Sequence, residues 1–81
     1  MSQSTTPLRR VALAGEIRAE MARQRVSVAQ LADATGISQS TLYRRLNGVK
    51  PLQLEELDAI CASLKVSLVA LTERAKTAGA A

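Results

Sequence analysis

Four hydrogen-bonding side chains in the middle of the chain share a spacing that places them on one side of a helix. They are Gln39, Ser40, Tyr43 and Arg44. If Leu42 and Leu46 face inward, a rotation of about 100° per residue turns the four outward. Gln can form two hydrogen bonds with an adenine edge, Arg can form two with a guanine edge, and Ser can bond a base or a phosphate. We therefore predict that this face contacts the bases of duplex DNA.

Tyr43 is the only aromatic residue of the chain, which has neither Phe nor Trp. An aromatic side chain at an outward helix position indicates a contact surface, because the same ring would otherwise fill a large part of the core. Contact with a thymine methyl group or a phosphate is one interpretation, and partial burial is the other.

The apolar periodicity of the chain predicts five helices that would hold this face in place. Their spans are about 8–24, 28–35, 39–47, 54–64 and 68–76, and the flanks 1–7 and 77–81 are expected to be disordered. The residues predicted to face inward are Leu13, Ala14, Ile17, Met21, Val28, Leu31, Ala32, Ile37, Leu42, Leu46, Leu54, Leu57, Ile60, Cys61, Leu64, Leu68 and Leu71. We expect an all-α fold, a five-helix bundle whose single domain occupies residues 8–76.

The second and third helices fit the helix-turn-helix pattern, two short helices joined by a turn with a glycine. Ser27 and Ser38 are good N-cap residues, and Gly36 suits the left-handed backbone that ends a helix. Ala32 supplies the small side chain needed where the two helices cross. Because free amide groups at helix N-termini favour phosphate oxygens, we place Ser27 and Ser38 near the DNA backbone.

The 81-residue chain is basic, with a net charge of +4 that is unevenly distributed. Residues 1–50 carry eight Lys and Arg against three Asp and Glu, whereas residues 51–81 carry three against four. The basic part contains the predicted helix-turn-helix, and a basic surface attracts nucleic acid. Arg9 and Arg10 either form an arm that reaches a minor groove or belong to the surface of the first helix.

The sequence lacks the parts of a catalytic or metal site. It has no His, one Cys and no glycine loop that could cradle a phosphate, so we expect no catalytic residue, metal or cofactor. Carboxylates at a helix start explain Glu55, Glu56 and Asp58, and a place in the core explains Cys61. No apolar run approaches the roughly 20 residues of a membrane span, and no secretory signal is present. We therefore expect a cytoplasmic protein that is not an enzyme.

The segment from Ser27 to Gly48, SVAQLADATGISQSTLYRRLNG, and the later segment SLKVSLVAL resemble the lambda-type repressor and Cro helix-turn-helix family, also called the XRE family. The resemblance covers about residues 10–72. It implies a five-helix bundle that binds operator DNA, usually as a dimer, with base contacts from the four residues named first. By position, the residues near phosphates would be Ser27, Ser38, Thr41, Asn47 and Lys50.

The sequence departs from this family at three places. Val28 stands where many relatives have a glutamine that holds a phosphate. Leu46 and Met21 stand where many relatives pair a glutamate with an arginine, so an apolar contact would replace an ion pair. Arg45 stands where an apolar residue is common, and we expect it to contact a phosphate or to be a surface charge with its stem along the core.

Together these features predict a small transcriptional repressor, of phage or prokaryotic type, that inserts its third helix into the major groove of operator DNA. We expect a homodimer on DNA, with half-sites about one helical turn apart, and no small-molecule ligand. The alternative is an antitoxin or a phage accessory protein that uses the same fold mainly to bind another protein.

Overall fold

A computed structural model describes residues 6–80, and residues 12–77 with their side chains. The described part contains no strand and five helices: α1 Thr6–Gln24, α2 Val28–Thr35, α3 Gln39–Leu46, α4 Leu54–Leu64 and α5 Leu68–Ala80. The predicted all-α, five-helix fold is confirmed. Residues 1–5, residue 81 and the side chains of Arg9 and Arg10 lie outside the described part, so the arm predicted for these arginines stays a prediction.

The outer helices extend into both flanks that the sequence analysis assigns to disorder. α1 begins at Thr6, because Pro7 has no N–H that would need a partner in the first helical turn. α5 continues four residues past the predicted end at Lys76. Its last turn contains alanines, the best helix formers, which offset the roughly 1 kcal/mol that Gly79 costs within a helix.

One aliphatic core joins all five helices, as the spacing predicts. Its fully buried members include Ile17, Leu31, Leu42, Leu46, Ile60, Leu64 and Leu71. Cys61 is buried among them, and this burial raises the pKa of its thiol. Leu54 was predicted to face inward, but the prediction is wrong, since its side chain is 72% exposed. Leu54 is the first residue of α4, at the margin of the apolar face, where no neighbouring helix covers it.

The turns at 25–27 and 65–67 have the related sequences Arg-Val-Ser and Lys-Val-Ser and the same conformation. The first residue of each has a left-handed backbone, with φ of 57° and 58°. The valine N–H then donates to the carbonyl of Met21 or Cys61, at 2.9 and 3.1 Å, which closes a Schellman motif. The serine hydroxyl accepts from the amide three residues later, at 3.1 and 2.9 Å, and so caps the next helix.

Glu20 is the buried charged residue of the described part, and it links α1 to α5. Its carboxylate accepts hydrogen bonds from Gln24 and Arg23, both at 2.8 Å, and from Arg74 on α5 at 3.2 Å. Gln24 Nε2 also donates to the carbonyl of Leu64 at the end of α4, at 2.7 Å. The bonds from Gln24 and Arg23 hold the pKa of Glu20 at about 2, below its ordinary value of 4.5.

Alanine should have opposite effects at Gly36 and Gly15. Gly36 has φ +78°, and a Cβ there would meet nothing within 4 Å, so Gly36→Ala should cost only the backbone strain of about 1–2 kcal/mol. Gly15 lies within α1, where a Cβ would make an ordinary contact 3.6 Å from Arg18 Nη2. Gly15→Ala should therefore stabilise the fold by about 0.5–1 kcal/mol. Urea unfolding followed by circular dichroism measures both changes, and shifts of the same sign would contradict this account.

Glu20 should make the free energy of unfolding sensitive to acid. Because the pKa is lowered on folding from 4.5 to about 2, the ionised carboxylate stabilises fully above about pH 4.5, and this contribution is lost as the pH falls toward 2. Glu20→Gln should therefore lower the Tm at neutral pH, and the deficit should shrink in acid. Glu73→Gln removes an exposed carboxylate on α5 and is the control. A Glu20→Gln deficit that is the same at neutral and acid pH would refute the assignment.

Candidate nucleic-acid interface

The orientation of α3 is set by two buried leucines and a defined turn at each end. Leu42 and Leu46 are 0% and 2% exposed and belong to the core, while α3 packs against α1 and α2. The helix begins where the Ser38 hydroxyl accepts from the Thr41 amide at 3.2 Å. It ends where Gly48 takes φ +75° and the Val49 amide donates a hydrogen bond to the Arg44 carbonyl at 3.0 Å. With both leucines inward, the opposite side of α3 must face outward.

The four predicted base-contacting residues all lie on this outward side. Gln39, Ser40, Tyr43 and Arg44 are exposed. Tyr43 is 63% exposed, so its ring lies outside the core. Arg44 forms no ion pair with any carboxylate in the part of the chain that the structure describes. The structure thus brings together two amide or hydroxyl side chains, a phenol and an uncompensated guanidinium on one helix face.

The residues predicted to lie near phosphates fall into two groups. Ser27, Ser38, Asn47 and Lys50 are exposed. Thr41, by contrast, is half-buried. Its hydroxyl accepts a hydrogen bond from Ser38 Oγ at 2.9 Å.

Two of the exposed residues also have local structural roles. Ser27 forms a capping box with Gln30: the Ser27 amide donates to Gln30 Oε1 at 2.8 Å, and Ser27 Oγ accepts from the Gln30 amide. Asn47 Nδ2 donates to the Tyr43 carbonyl at 2.7 Å and closes the last turn of α3.

Arg45 has a structural partner that neither interpretation of the sequence included. Its Nε and Nη2 donate to the two carboxylate oxygens of Glu56 at 2.8 and 3.2 Å, and both side chains are 16% exposed. The pair raises the pKa of Arg45 and lowers that of Glu56. Arg45 and Tyr43 lie on opposite flanks of the buried side of α3, so Arg45 meets α4 while Tyr43 is exposed. The sequence alone did not indicate that Glu56 lies opposite Arg45.

An open cleft of about 360 Å³ lies beside the outward side of α3, where α1 ends and α2 begins. Its apolar lining residues are Met21, Ala22, Val26, Val28 and Leu46, and its polar ones are Arg18, Ser27, Tyr43 and Asn47. Met21 and Leu46 belong to one buried cluster, as expected if an apolar contact replaces an ion pair. The sequence did not predict Arg18 at the interface, because its distance from α3 depends on how α1 packs.

A family model of the Cro/C1-type helix-turn-helix DNA-binding domain matches residues 16–74. The chain belongs to the Cro/C1-type helix-turn-helix family. The match contains α2, the Gly36 turn and the outward side of α3, and it confirms the resemblance found in the sequence.

Two solved structures with similar folds are both described as the clp gene regulator ClgR from Corynebacterium glutamicum. One has 29% sequence identity and a TM-score of 0.83, over 90% of this chain and 77% of that chain. The other has 28% identity and a TM-score of 0.80, over 88% of this chain and 91% of that chain. No curated protein matches the chain significantly.

The family and these similar structures support a DNA-binding transcription regulator. Within the described residues, no group of three or more His, Cys, Asp and Glu side chains could hold a metal ion. Likewise, no helix in that part of the chain is long and apolar enough to cross a membrane.

The Arg45–Glu56 pair should contribute to folding and not to base preference. Arg45→Met keeps most of the aliphatic stem but leaves Glu56 without its guanidinium, so it should lower the Tm. Glu56→Gln should also lower it, and the double variant should lose less than the sum of the two. Thermal unfolding of the four proteins gives the coupling. Additive losses would show that the two residues do not act together.

Proposed function

We propose that this chain is a small transcriptional repressor that binds operator DNA sequence-specifically as a homodimer, with α3 in the major groove. The observation that carries the proposal is the division of α3 into two sides. Leu42 and Leu46 are buried, whereas all four predicted base-contacting residues are exposed. A helix that presents Gln, Ser and Arg in this way fits the hydrogen-bonding groups of base edges in the major groove.

One charged and two hydroxyl side chains around α3 support the same placement. Lys50 is exposed in the loop that follows α3, and Ser27 and Ser38 lie exposed at the starts of α2 and α3. Contacts of such groups with phosphates orient a protein on the duplex without reading its sequence. We therefore assign base contacts to the outward side of α3 and backbone contacts to these residues and Asn47. Arg45 is left out, because its guanidinium is bound to Glu56.

Repression and dimerisation complete the proposal. Occupancy of promoter DNA excludes RNA polymerase sterically, whereas activation needs a further contact with the polymerase. A single domain of this kind buries only about 600–1,000 Å² of protein surface on DNA, so two copies on a two-fold related operator would provide a more stable complex. Their α3 helices would then lie about one helical turn apart. We place this activity in the cytoplasm, on phage or prokaryotic DNA.

Selection of duplexes from a random pool, followed by titration at several salt concentrations, tests DNA binding. The selected duplex should bind at least about 10³-fold more tightly than a scrambled one. If the pool yields no enriched sequence, the proposal fails, and the alternative of a protein-binding antitoxin or accessory factor gains support.

The two kinds of contact should respond differently to mutation. Arg44→Ala should cost about 1–3 kcal/mol at one base pair of the selected site and relax the preference there. Lys50→Ala should weaken all sequences alike and reduce the salt dependence, because it removes a phosphate contact. Lys76→Ala, on the exposed surface of α5, removes the same charge and is the control. Uniform loss for Arg44→Ala would contradict the assignment of base contact.

The same selected site tests repression and dimerisation. Placed across a promoter that drives a reporter gene, it should lower expression when the protein is present. Scrambling one half of the site should abolish tight binding if two copies are needed. Increased expression would contradict repression, and unchanged affinity for the half-scrambled duplex would contradict the dimer, while DNA binding itself would stand in both cases.

A further inference from the structure

The cleft beside α3 has the size and the lining of a site for a small molecule. Ligand pockets in proteins enclose about 300–1,000 Å³ and are mostly apolar, with a few polar groups that orient the ligand. The cleft measures about 360 Å³. Met21 and Leu46 of its wall are buried in the core, and Val26 and Val28 pack against the same core. The fold therefore holds the apolar wall in place before any ligand enters.

The charge of the cleft lies at one of its ends. Arg18 carries the only charge among the lining residues in the described part of the chain. A Cβ at Gly15, one helical turn before Arg18, would lie 3.6 Å from Arg18 Nη2. The apolar lining residues Met21 and Ala22 follow Arg18 in the next turn of α1. A ligand that fits this arrangement has a negatively charged head and a hydrocarbon tail.

The guanidinium of Arg18 is available to such a head. Arg18 forms no ion pair with a carboxylate among the residues that the structure describes, whereas Arg23, Arg45 and Arg74 do. A planar carboxylate can accept two hydrogen bonds from a guanidinium, and one carboxylate balances its single charge. An anionic ligand would therefore not have to displace an internal partner.

The cleft overlaps the surface that the proposed function assigns to DNA. Tyr43, Ser27 and Asn47 line it. In the proposed function Tyr43 contacts bases, and Ser27 and Asn47 contact the DNA backbone. A molecule in the cleft would therefore lie where the duplex has to approach, so the two would compete.

We propose that the cleft binds an amphipathic carboxylate, with Arg18 holding the carboxylate and the hydrocarbon packing against Met21 and Val28, and that the bound ligand releases the protein from DNA. The release from DNA rests on the proposed function, whereas binding of the ligand does not. This ligand differs from the expectation drawn from the sequence, because the cleft exists only once α1, α2 and α3 have packed together.

Octanoate is the probe, and NMR chemical shifts of the free protein follow its binding. Octanoate should shift the methyl signals of Met21, Val26 and Val28 in a saturable manner. Octylamine has the same chain length and the opposite charge, so it should bind at least about 10-fold more weakly. Equal binding of the two would overturn the proposal. Shifts of the same signals on raising the protein concentration without octanoate would also overturn it, since they would show that a second copy covers the cleft.

A comparison of Arg18→Gln with Lys76→Gln tests the role of Arg18. Both substitutions remove one exposed positive charge from a helix, but Lys76 does not line the cleft. Arg18→Gln should weaken octanoate binding about 10-fold without weakening octylamine, so that the preference for a negative head is lost. Lys76→Gln should bind both compounds like the wild type. Equal effects of the two substitutions would overturn the assignment of Arg18.

A second pair of variants tests the cleft itself. Ala22 is an exposed lining residue, and Ala62 is its exposed counterpart on α4, since each lies three residues before the left-handed residue of its turn. Ala22→Phe should fill the cleft and abolish octanoate binding, whereas Ala62→Phe should bind octanoate like the wild type. If Ala22→Phe binds octanoate normally, the cleft is not the site.

Competition at constant ionic strength tests the release from DNA. When the octanoate concentration equals its own Kd, the apparent Kd of the selected duplex should rise about two-fold, and the same concentration should have little effect on Arg18→Gln. Octanoate that binds without weakening the duplex would overturn the release. If octanoate fails to bind while the duplex binds specifically, this inference fails and the proposed function stands. If only octanoate binds, the proposed function and the release fail, and the ligand site stands.

Discussion

The burial of Leu42 and Leu46 is the constraint on which the interface depends. α3 has eight residues, too few for a helix to be stable by itself in water, so its conformation relies on packing against α1 and α2. The two leucines lie four residues apart and leave α3 one way to dock. Its other side is consequently turned to solvent, and the polar residues there are held at fixed angles by the core behind them.

The charged residues divide between holding the bundle together and remaining available at the surface. Glu20 accepts hydrogen bonds from Arg23 of α1 and Arg74 of α5. Glu56 of α4 accepts one from Arg45 of α3. These two carboxylates therefore form ion pairs with three arginines that would otherwise have no anionic partner. Arg18 and Arg44 have no such partner within the described residues, and both lie beside or on the outward side of α3. Arg25, Lys50 and Lys65 also pair with no carboxylate in that part of the chain, so Arg18 and Arg44 are two of five such cations.

Membership of the Cro/C1-type family places the helix-turn-helix, and the departures from the family pattern give this chain its own surface. By the resemblance drawn from the sequence, Val28, Met21 and Leu46 stand where many relatives would have polar residues for a phosphate clamp and an internal ion pair. In the structure these three residues line one cleft with an apolar wall. Replacement of an ion pair by well-packed apolar groups is often neutral or stabilising, which explains how the fold accommodates the change.

The sequence by itself determined the helices and the rotation of α3, because helical period, serine caps and Gly36 are local properties of the chain. Those rules also identified most of the core and the exposed residues of α3. They failed at the outer ends of α1 and α5, which extend past the predicted spans, and at Leu54, whose exposure depends on where neighbouring helices end. Only the tertiary structure decided that Arg45 meets Glu56 and that Arg18 lies near Tyr43 and Asn47. Those relations join residues of different helices, and no local pattern fixes the distance between two helices until the shared core has packed them together.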